Sequence, residues 1–250
     1  MQTRCKVLVI KVEDNTLIVH MLTSLFQNKA HCSVCQSISE HGPLCFACQT
    51  SLESVEVWCP TCGLPLEAMQ NIACSKCIKM PPPFSAARAP YVYGGSIREM
   101  VYRFKQEKKC SLVRVIQKLG QKSFNESAND RTLLTYVPLH SLRHVSRGFN
   151  QARMIALELS KHSPTPLPAI SSLKRIKKTT PQGKLRKSER QDNVKNAFGI
   201  AFGSRKTIYG SRILLVDDVM TTGATLSEAS RILLAAGAKD VSCWTFSRAI

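Results

Sequence analysis

The sequence is poor in acid. Only 17 aspartates and glutamates stand against 35 lysines and arginines, so the 250-residue chain carries a formal net charge of +18. A field of that sign draws polyanions, whether nucleic acid, an acidic membrane surface or a phosphorylated small molecule. The plain alternative is a basic soluble protein with no such partner. Also missing is any run of about 18 apolar residues, so no membrane span is expected. The first ten residues carry Arg4 and Lys6 beside a short apolar stretch, but Glu13 and Asp14 follow, and no small-residue cleavage site does. That argues against a secretory signal, and a cytoplasmic location is the expectation. Met21 is an alternative start, because the patterned part of the chain begins after it. There is no internal repeat apart from a series of paired cysteines.

Eight of the eleven cysteines fall into C-x-x-C pairs: Cys32/Cys35, Cys45/Cys48, Cys59/Cys62 and Cys74/Cys77. A C-x-x-C turn aims two thiolates at one point, and a tetrahedral zinc ion needs two such turns. Eight thiolates therefore suit two closed, structural sites with no position left for water. Disulfides would require an oxidising compartment that nothing in the sequence specifies. The pairs can share metals sequentially, as Cys32, Cys35, Cys45, Cys48 and then Cys59, Cys62, Cys74, Cys77, or in a cross-braced order. The sequential order closes shorter loops and is favoured. It gives a double zinc ribbon over residues 31–80, after an N-terminal segment of residues 1–30. His31 and His41 lie nearby but are not needed as ligands, and Cys243 reads as a core residue.

Pro81-Pro82-Pro83 reads as a stiff linker, and a second domain is expected over residues 85–250. Strand and helix signals alternate through it. Strands are expected at Ala89 to Tyr93, Leu133 to Val137, Ile213 to Val216 and Val241 to Phe246, with a weaker, proline-interrupted one at Leu167 to Leu173. Ser96 and Glu99 have capping-box spacing ahead of a helix with Ile97, Met100, Val101 and Phe104 on one face. Further helices follow at Leu112 to Leu119, Phe149 to Lys161 and Thr225 to Ala236, the last stopped at Gly237. This alternation predicts an α/β fold with a parallel sheet and helices on both faces.

The chemistry concentrates at Asp217-Asp218-Val219-Met220-Thr221-Thr222-Gly223-Ala224-Thr225, directly after the apolar strand. Open α/β sheets bind ligands at the carboxyl ends of their strands. A small-residue loop lets backbone amides approach a phosphate, and a helix start favours negative charge. The two carboxylates repel a phosphate but accept hydrogen bonds from sugar hydroxyls or hold a cation. The pattern therefore describes a site for a phosphorylated polyhydroxyl compound.

This segment resembles the 5-phosphoribosyl-1-pyrophosphate (PRPP) signature of type I phosphoribosyltransferases. Val137-Pro138-Leu139-His140 with Arg143 and Arg147-Gly148-Phe149-Asn150-Gln151-Ala152 is similar to the ComF/GntX family of competence proteins. So is Lys177-Lys178-Thr179-Thr180-Pro181-Gln182, followed by Arg190, Asn193 and Ala197-Phe198. The resemblance runs from Cys32 to the end of the sequence. It implies a type I phosphoribosyltransferase fold behind the double zinc ribbon. Asp217 and Asp218 would bind the ribose hydroxyls, and Thr221, Thr222, Gly223, Ala224 and Thr225 the 5′-phosphate. The Pro138-Leu139 turn would face the pyrophosphate with Mg²⁺, and Lys174 to Arg190 would be a mobile loop that closes over the ligand. Position 221 departs from the nucleobase-salvage members, which often carry a carboxylate there. A threonine hydroxyl is a poor general base, so the resemblance points to ligand binding more firmly than to base transfer.

Nine lysines and arginines lie between Lys174 and Lys195 against Glu189 and Asp192 alone, among them Lys178 and Arg190. They suit closure over pyrophosphate or contact with a nucleic-acid backbone. Lys105 sits in Tyr102-Arg103-Phe104-Lys105, which resembles a family position. Phe46, Trp58, Phe84, Tyr91 and Tyr93 either stack on single-stranded bases or fill the small core around the metals. The family resemblance implies a role in DNA uptake, handling single-stranded DNA in the cytoplasm beside a competence helicase or other DNA-processing protein. The other readings are a transferase of nucleotide or cofactor metabolism and a non-catalytic PRPP sensor.

Overall fold

A computed structural model describes residues 30–40, 42–67, 72–128, 132–139, 148–177 and 189–250. Its centre is a five-stranded parallel sheet. Strand β3 (Ala86–Arg88) and β4 (Tyr91–Val92) both pair with β9 (Asp240–Arg248); β9 pairs with β8 (Arg212–Met220), and β8 with β5 (Thr132–Tyr136). Side chains of an extended strand alternate between the two faces of a sheet, and β8 uses both. Leu214 and Val216 join one core with Trp244 and Phe246, while Ile213 and Leu215 join the other with Val241 and Cys243. This double burial is why the strand reads as an unbroken apolar run.

The first face is covered by α3 (Gly95–Gln106), α4 (Leu112–Ser127) and α5 (Gln151–Lys161). The expected apolar face of α3 is buried in full: Ile97, Met100, Val101 and Phe104 are each at most 1% exposed. Trp244 anchors this side. Its ring meets Phe124 edge-on at 5.8 Å, and its Nε1 donates to Ser123 Oγ at 2.9 Å, which lets an indole be buried without leaving a donor unpaired. The second face carries α8 (Ala224–Ala235) and the antiparallel pair β6 (Leu173–Arg175) and β7 (Phe198–Ile200). A one-turn helix, α7 (Arg205–Ile208), leads into β8.

The cysteine-rich part is built into both cores. It contributes the short pair β1 (Ala30–His31) and β2 (Ile38–Ser39), and one-turn helices α1 (Phe46–Thr50) and α2 (Ser75–Lys79). Cys32 and Cys48 pack with the first core, Cys59, Cys62 and Cys77 with the second. The Pro81–Pro83 segment leads into Phe84, which is 2% exposed. Tyr91 packs on Phe246 and Trp58 lies under the Arg88 guanidinium at 3.4 Å, whereas Phe46 is 82% exposed.

Three local expectations fail. Ser96 does not cap α3: the helix begins at Gly95, with φ of +42°, and Ser96 Oγ instead bonds Ser51 Oγ at 2.5 Å, while Glu99 pairs forward with Arg103. The pattern is present, but the Gly94-Gly95 turn places the start two residues too early for it. Of the strand expected at Ala89 to Tyr93 only Tyr91–Val92 forms, as β4; β3 ends before it at Arg88, and Pro90 between them has no N–H to give the ladder. No strand forms over residues 167–172, and β6 begins only at Leu173. There Pro164, Pro166 and Pro168 remove donors, and Ala169 makes only an isolated bridge to Leu134.

Candidate functional site

The strand that carries the two aspartates runs further than its apolar run suggested. β8 continues to Met220, so Asp217 and Asp218 lie within paired strand, Asp217 opposite Thr245 of β9. Neighbours on a strand face opposite sides of the sheet, and the contacts follow that rule. Asp218 points to the α3 side, where Lys105 Nζ sits 2.8 Å from both of its oxygens. Asp217 turns back on its own chain, and its Oδ1 accepts the Asp218 N–H at 2.9 Å. Burial is the main reason that the Asp217 carboxyl is pushed up to about 7. The Asp218 charge adds to this, and Lys105, the Asp218 amide and Arg175 oppose it. One carboxylate is thus neutralised by an ion pair and the other holds its proton to near neutrality.

After Met220 the chain turns through Thr221, Thr222 and Gly223 into α8. Gly223 takes φ of +82°, a left-handed conformation that costs other residues. The Ala224 amide lies 3.4 Å from Thr222 Oγ1, and Ser227 N donates to Gly223 O at 2.8 Å as the first helical bond. On the neighbouring strand β5, Tyr136 stands opposite Val216, so Pro138 and Leu139 emerge at the same sheet edge as the aspartates. Pro138 is buried and Leu139 half-buried. Asn150 closes this corner: its Nδ2 donates to Val137 O at 3.0 Å while its Oδ1 caps α5 by accepting from Arg153 N.

The structure therefore brings together Asp217, Asp218, Lys105, Pro138, Leu139 and the Thr221–Thr225 loop. Arg143, Arg147 and Lys178 lie outside the described residues. Arg190 is on helix α6 (Glu189–Val194), with its side chain likewise outside them. Residues after that helix approach α8, since the Asn196 amide donates to Glu228 Oε1 at 2.8 Å. A cavity of about 830 Å³ lies beside the loop, between Thr222, Gly223, Ala224 and Glu228 on one side and Cys62, Lys76 and the Pro81–Phe84 segment on the other. Sequence reasoning missed Arg248, which reaches the loop from the end of β9. The one signal was a cation ending an otherwise buried strand.

The eight cysteines form two groups, Cys32/Cys35/Cys45/Cys48 and Cys59/Cys62/Cys74/Cys77, and within each the four sulfurs lie within 4.8 Å of one another. This is the sequential grouping. A tetrahedral ion with metal–sulfur bonds of about 2.3 Å needs sulfurs about 3.8 Å apart. Cys35 and Cys45 stand at 3.5 Å, Cys62 and Cys74 at 3.7 Å. Backbone amides support the sulfurs, with Val34 N 3.4 Å from Cys32 Sγ and Cys74 N 3.3 Å from Cys59 Sγ. The Ser37 hydroxyl and amide, helped by Cys45, bring the Cys35 thiol down to about 6. At Cys59 burial works upward, but the amides of Cys74, Cys62 and Thr61 outweigh it and hold the thiol at about 7. The donor sets fit a metal ion that favours four thiolates.

Comparison with known proteins agrees with this architecture. Residues 145–249 match the model of the phosphoribosyl transferase domain. Competence protein F of Haemophilus influenzae is 30% identical over 225 residues, covering 88% of this chain and 96% of that protein. The chain belongs to the ComF family of competence proteins. Competence protein ComFC of Bacillus subtilis is 30% identical over 214 residues, covering 82% of this chain and 84% of the relative. The DNA utilization protein YhgH of Escherichia coli K12 is 27% identical over 219 residues, covering 84% and 92%. The chain thus combines two four-cysteine groups with a parallel-sheet phosphoribosyltransferase domain, and the ComF relatives extend across both parts. Among the described residues no helix is long and apolar enough to cross a membrane.

Proposed function

We propose that this ComF protein binds PRPP with Mg²⁺ at the end of β8 and handles single-stranded DNA in the cytoplasm during DNA uptake. The observation that carries the PRPP reading is the conjunction at one sheet edge of two aspartates, a glycine-turned loop and a helix start. Asp217 keeps one oxygen free of its bond to the Asp218 amide and accepts a ribose hydroxyl. Asp218 and Lys105 supply a fixed ion pair beneath the sugar. The Thr221–Thr225 loop takes the 5′-phosphate, and the Pro138-Leu139 corner faces pyrophosphate and Mg²⁺. Arg143, Arg147, Lys178 and Arg190 are proposed as counter-charges to the pyrophosphate on their chemistry alone.

Two structural zinc ions occupy the cysteine groups in this reading. Residues 31–80 act as the zinc-bearing part and residues 85–250 as the phosphoribosyltransferase-like domain. The DNA role rests on the names of the relatives and on the charge of +18. A DNA-processing partner such as a competence helicase follows from the same pathway. The site offers charge and amides to a sugar phosphate, which supports binding more directly than transfer.

Calorimetry of PRPP with Mg²⁺ on wild type and on Asp217→Ala/Asp218→Ala tests the site. Binding by wild type and none by the folded double variant is expected; equal affinity would refute it. Pyrophosphate release with single-stranded DNA or a nucleobase panel would show transfer. DNA affinity that falls steeply with salt is expected from phosphate contacts.

A further inference from the structure

Arg248 closes β9 with a cation that is only 7% exposed. Its guanidinium is spent on carbonyl oxygens from three places. Nε donates to Cys62 O at 3.3 Å, Nη1 to Met220 O at 3.1 Å and to Ala249 O at 2.6 Å, and Nη1 also bonds Thr221 O. Cys62 belongs to the second cysteine group, while Met220 and Thr221 begin the loop that leads into α8. The 830 Å³ cavity lies between those two parts, and Arg248 is among its lining residues.

A trans peptide is planar, so its C=O and N–H point in opposite directions. An arginine that holds Met220 O and Thr221 O therefore turns the Thr221 and Thr222 amides away from itself. On the other side, a divalent ion with four thiolates leaves two net negative charges, and a buried cation is tolerable only where such charge compensates it. Loss of the metal would free the Cys59–Cys62 turn and with it the Cys62 carbonyl. Groups that support metal ligands tune a site from outside its coordination shell, and here the support runs outward as well. We infer that Arg248 is a positioning residue that couples the second metal site to the Thr221–Thr225 loop, so that metal in that site sets the loop's amides for an anion. The coupling does not require that the loop's ligand be PRPP.

Hydrogen exchange on the full-length protein tests it. Cys74→Ser empties the second site and Cys35→Ser the first, with metal content checked for each. Exchange of the 222–226 amides is expected to rise about tenfold in Cys74→Ser and to stay at the wild-type rate in Cys35→Ser. Arg248→Met, fully metal-loaded, should show the same rise, and Arg248→Lys a smaller one. If Arg248→Met does not fold, the two cysteine variants still decide the matter. Equal loop exchange in both cysteine variants, or a protected loop in loaded Arg248→Met, overturns the coupling. By reciprocity, a ligand in the loop must tighten equilibrium metal binding at the second site only. Saturating inorganic pyrophosphate and PRPP with Mg²⁺ serve as probes against a chromogenic chelator. Failure of PRPP to bind at all would count against the proposed function, while the exchange result would stand on its own.

Discussion

Replacing Asp217 with asparagine should stabilise the protein, and more so as pH rises. In the folded state burial and Asp218 push the Asp217 carboxyl up to about 7, against the ordinary aspartate value of 3.8. Between those two values the unfolded chain has lost the proton and the folded chain keeps it. The folded state therefore binds more protons, and stability falls as pH climbs through this window. The stabilising contribution is whole below about pH 4 and gone above about pH 7. Each pKa unit is worth about 1.4 kcal/mol, so the full displacement corresponds to roughly 4 kcal/mol as an upper bound. The side chain is only half-buried and shares its field with Asp218, so roughly 2–4 kcal/mol is a fair range. Asparagine keeps an oxygen for the Asp218 amide and carries no charge at any pH. Urea unfolding of wild type and Asp217→Asn at matched pH should show a gap that widens by about 2 kcal/mol from about pH 5 to about pH 8. Comparison at the same pH removes changes common to both, including any change in metal affinity. A gap that stays flat, or a variant less stable than wild type at the upper end, refutes the buried-acid account. If Asp217 accepts a ribose hydroxyl as proposed, the same change should weaken PRPP binding, because the second carboxylate oxygen becomes an amide donor.

Lys105→Met leaves Asp218 without its partner and should cost about 1–3 kcal/mol, most of it recovered in the double variant with Asp218→Asn; a double-mutant cycle by urea unfolding reads the coupling. The lysine also holds the Asp217 carboxyl down, so its loss should move the pH window of the wild type upward. Gly120→Ala drives a methyl to 2.8 Å from the buried Trp244 ring and should destabilise by about 1–3 kcal/mol, seen as a lowered melting temperature with unchanged ligand affinity. Metal analysis should return two zinc ions per chain, and a strong chelator should unfold the cysteine-rich part and loosen the cores it packs against.

What the sequence made legible was local or chemically unambiguous. Four C-x-x-C pairs state their ligand chemistry by spacing alone, and the apolar run Ile213 to Val216 announces a strand buried on both faces. The apolar face of α3 follows from its periodicity. The aspartates and the small-residue loop were visible because strand end, loop and helix start are contiguous. The rest depends on contacts between residues far apart in the chain. The Lys105–Asp218 pair spans 113 residues and the Arg248–Cys62 bond spans 186. No local window contains either. Ser96 misled because its pattern was real but the glycine pair before it fixed a different helix start. Around Leu167 the prolines that weakened the expectation of a strand do more than interrupt it, because they strip the segment of the donors a strand needs.

Strand β9 lies in the middle of the sheet, between β8 and the β3/β4 edge, yet it is assembled from residues 240–248. During synthesis every other strand leaves the ribosome first. Until β9 arrives, β8 presents an open edge along its apolar run Ile213 to Val216, a surface prone to pairing with the wrong neighbour. Both cysteine groups lean on cores to which β9 contributes Trp244, Phe246, Val241 and Cys243. The sheet and both of its cores therefore close only after residues 240–248 have been made.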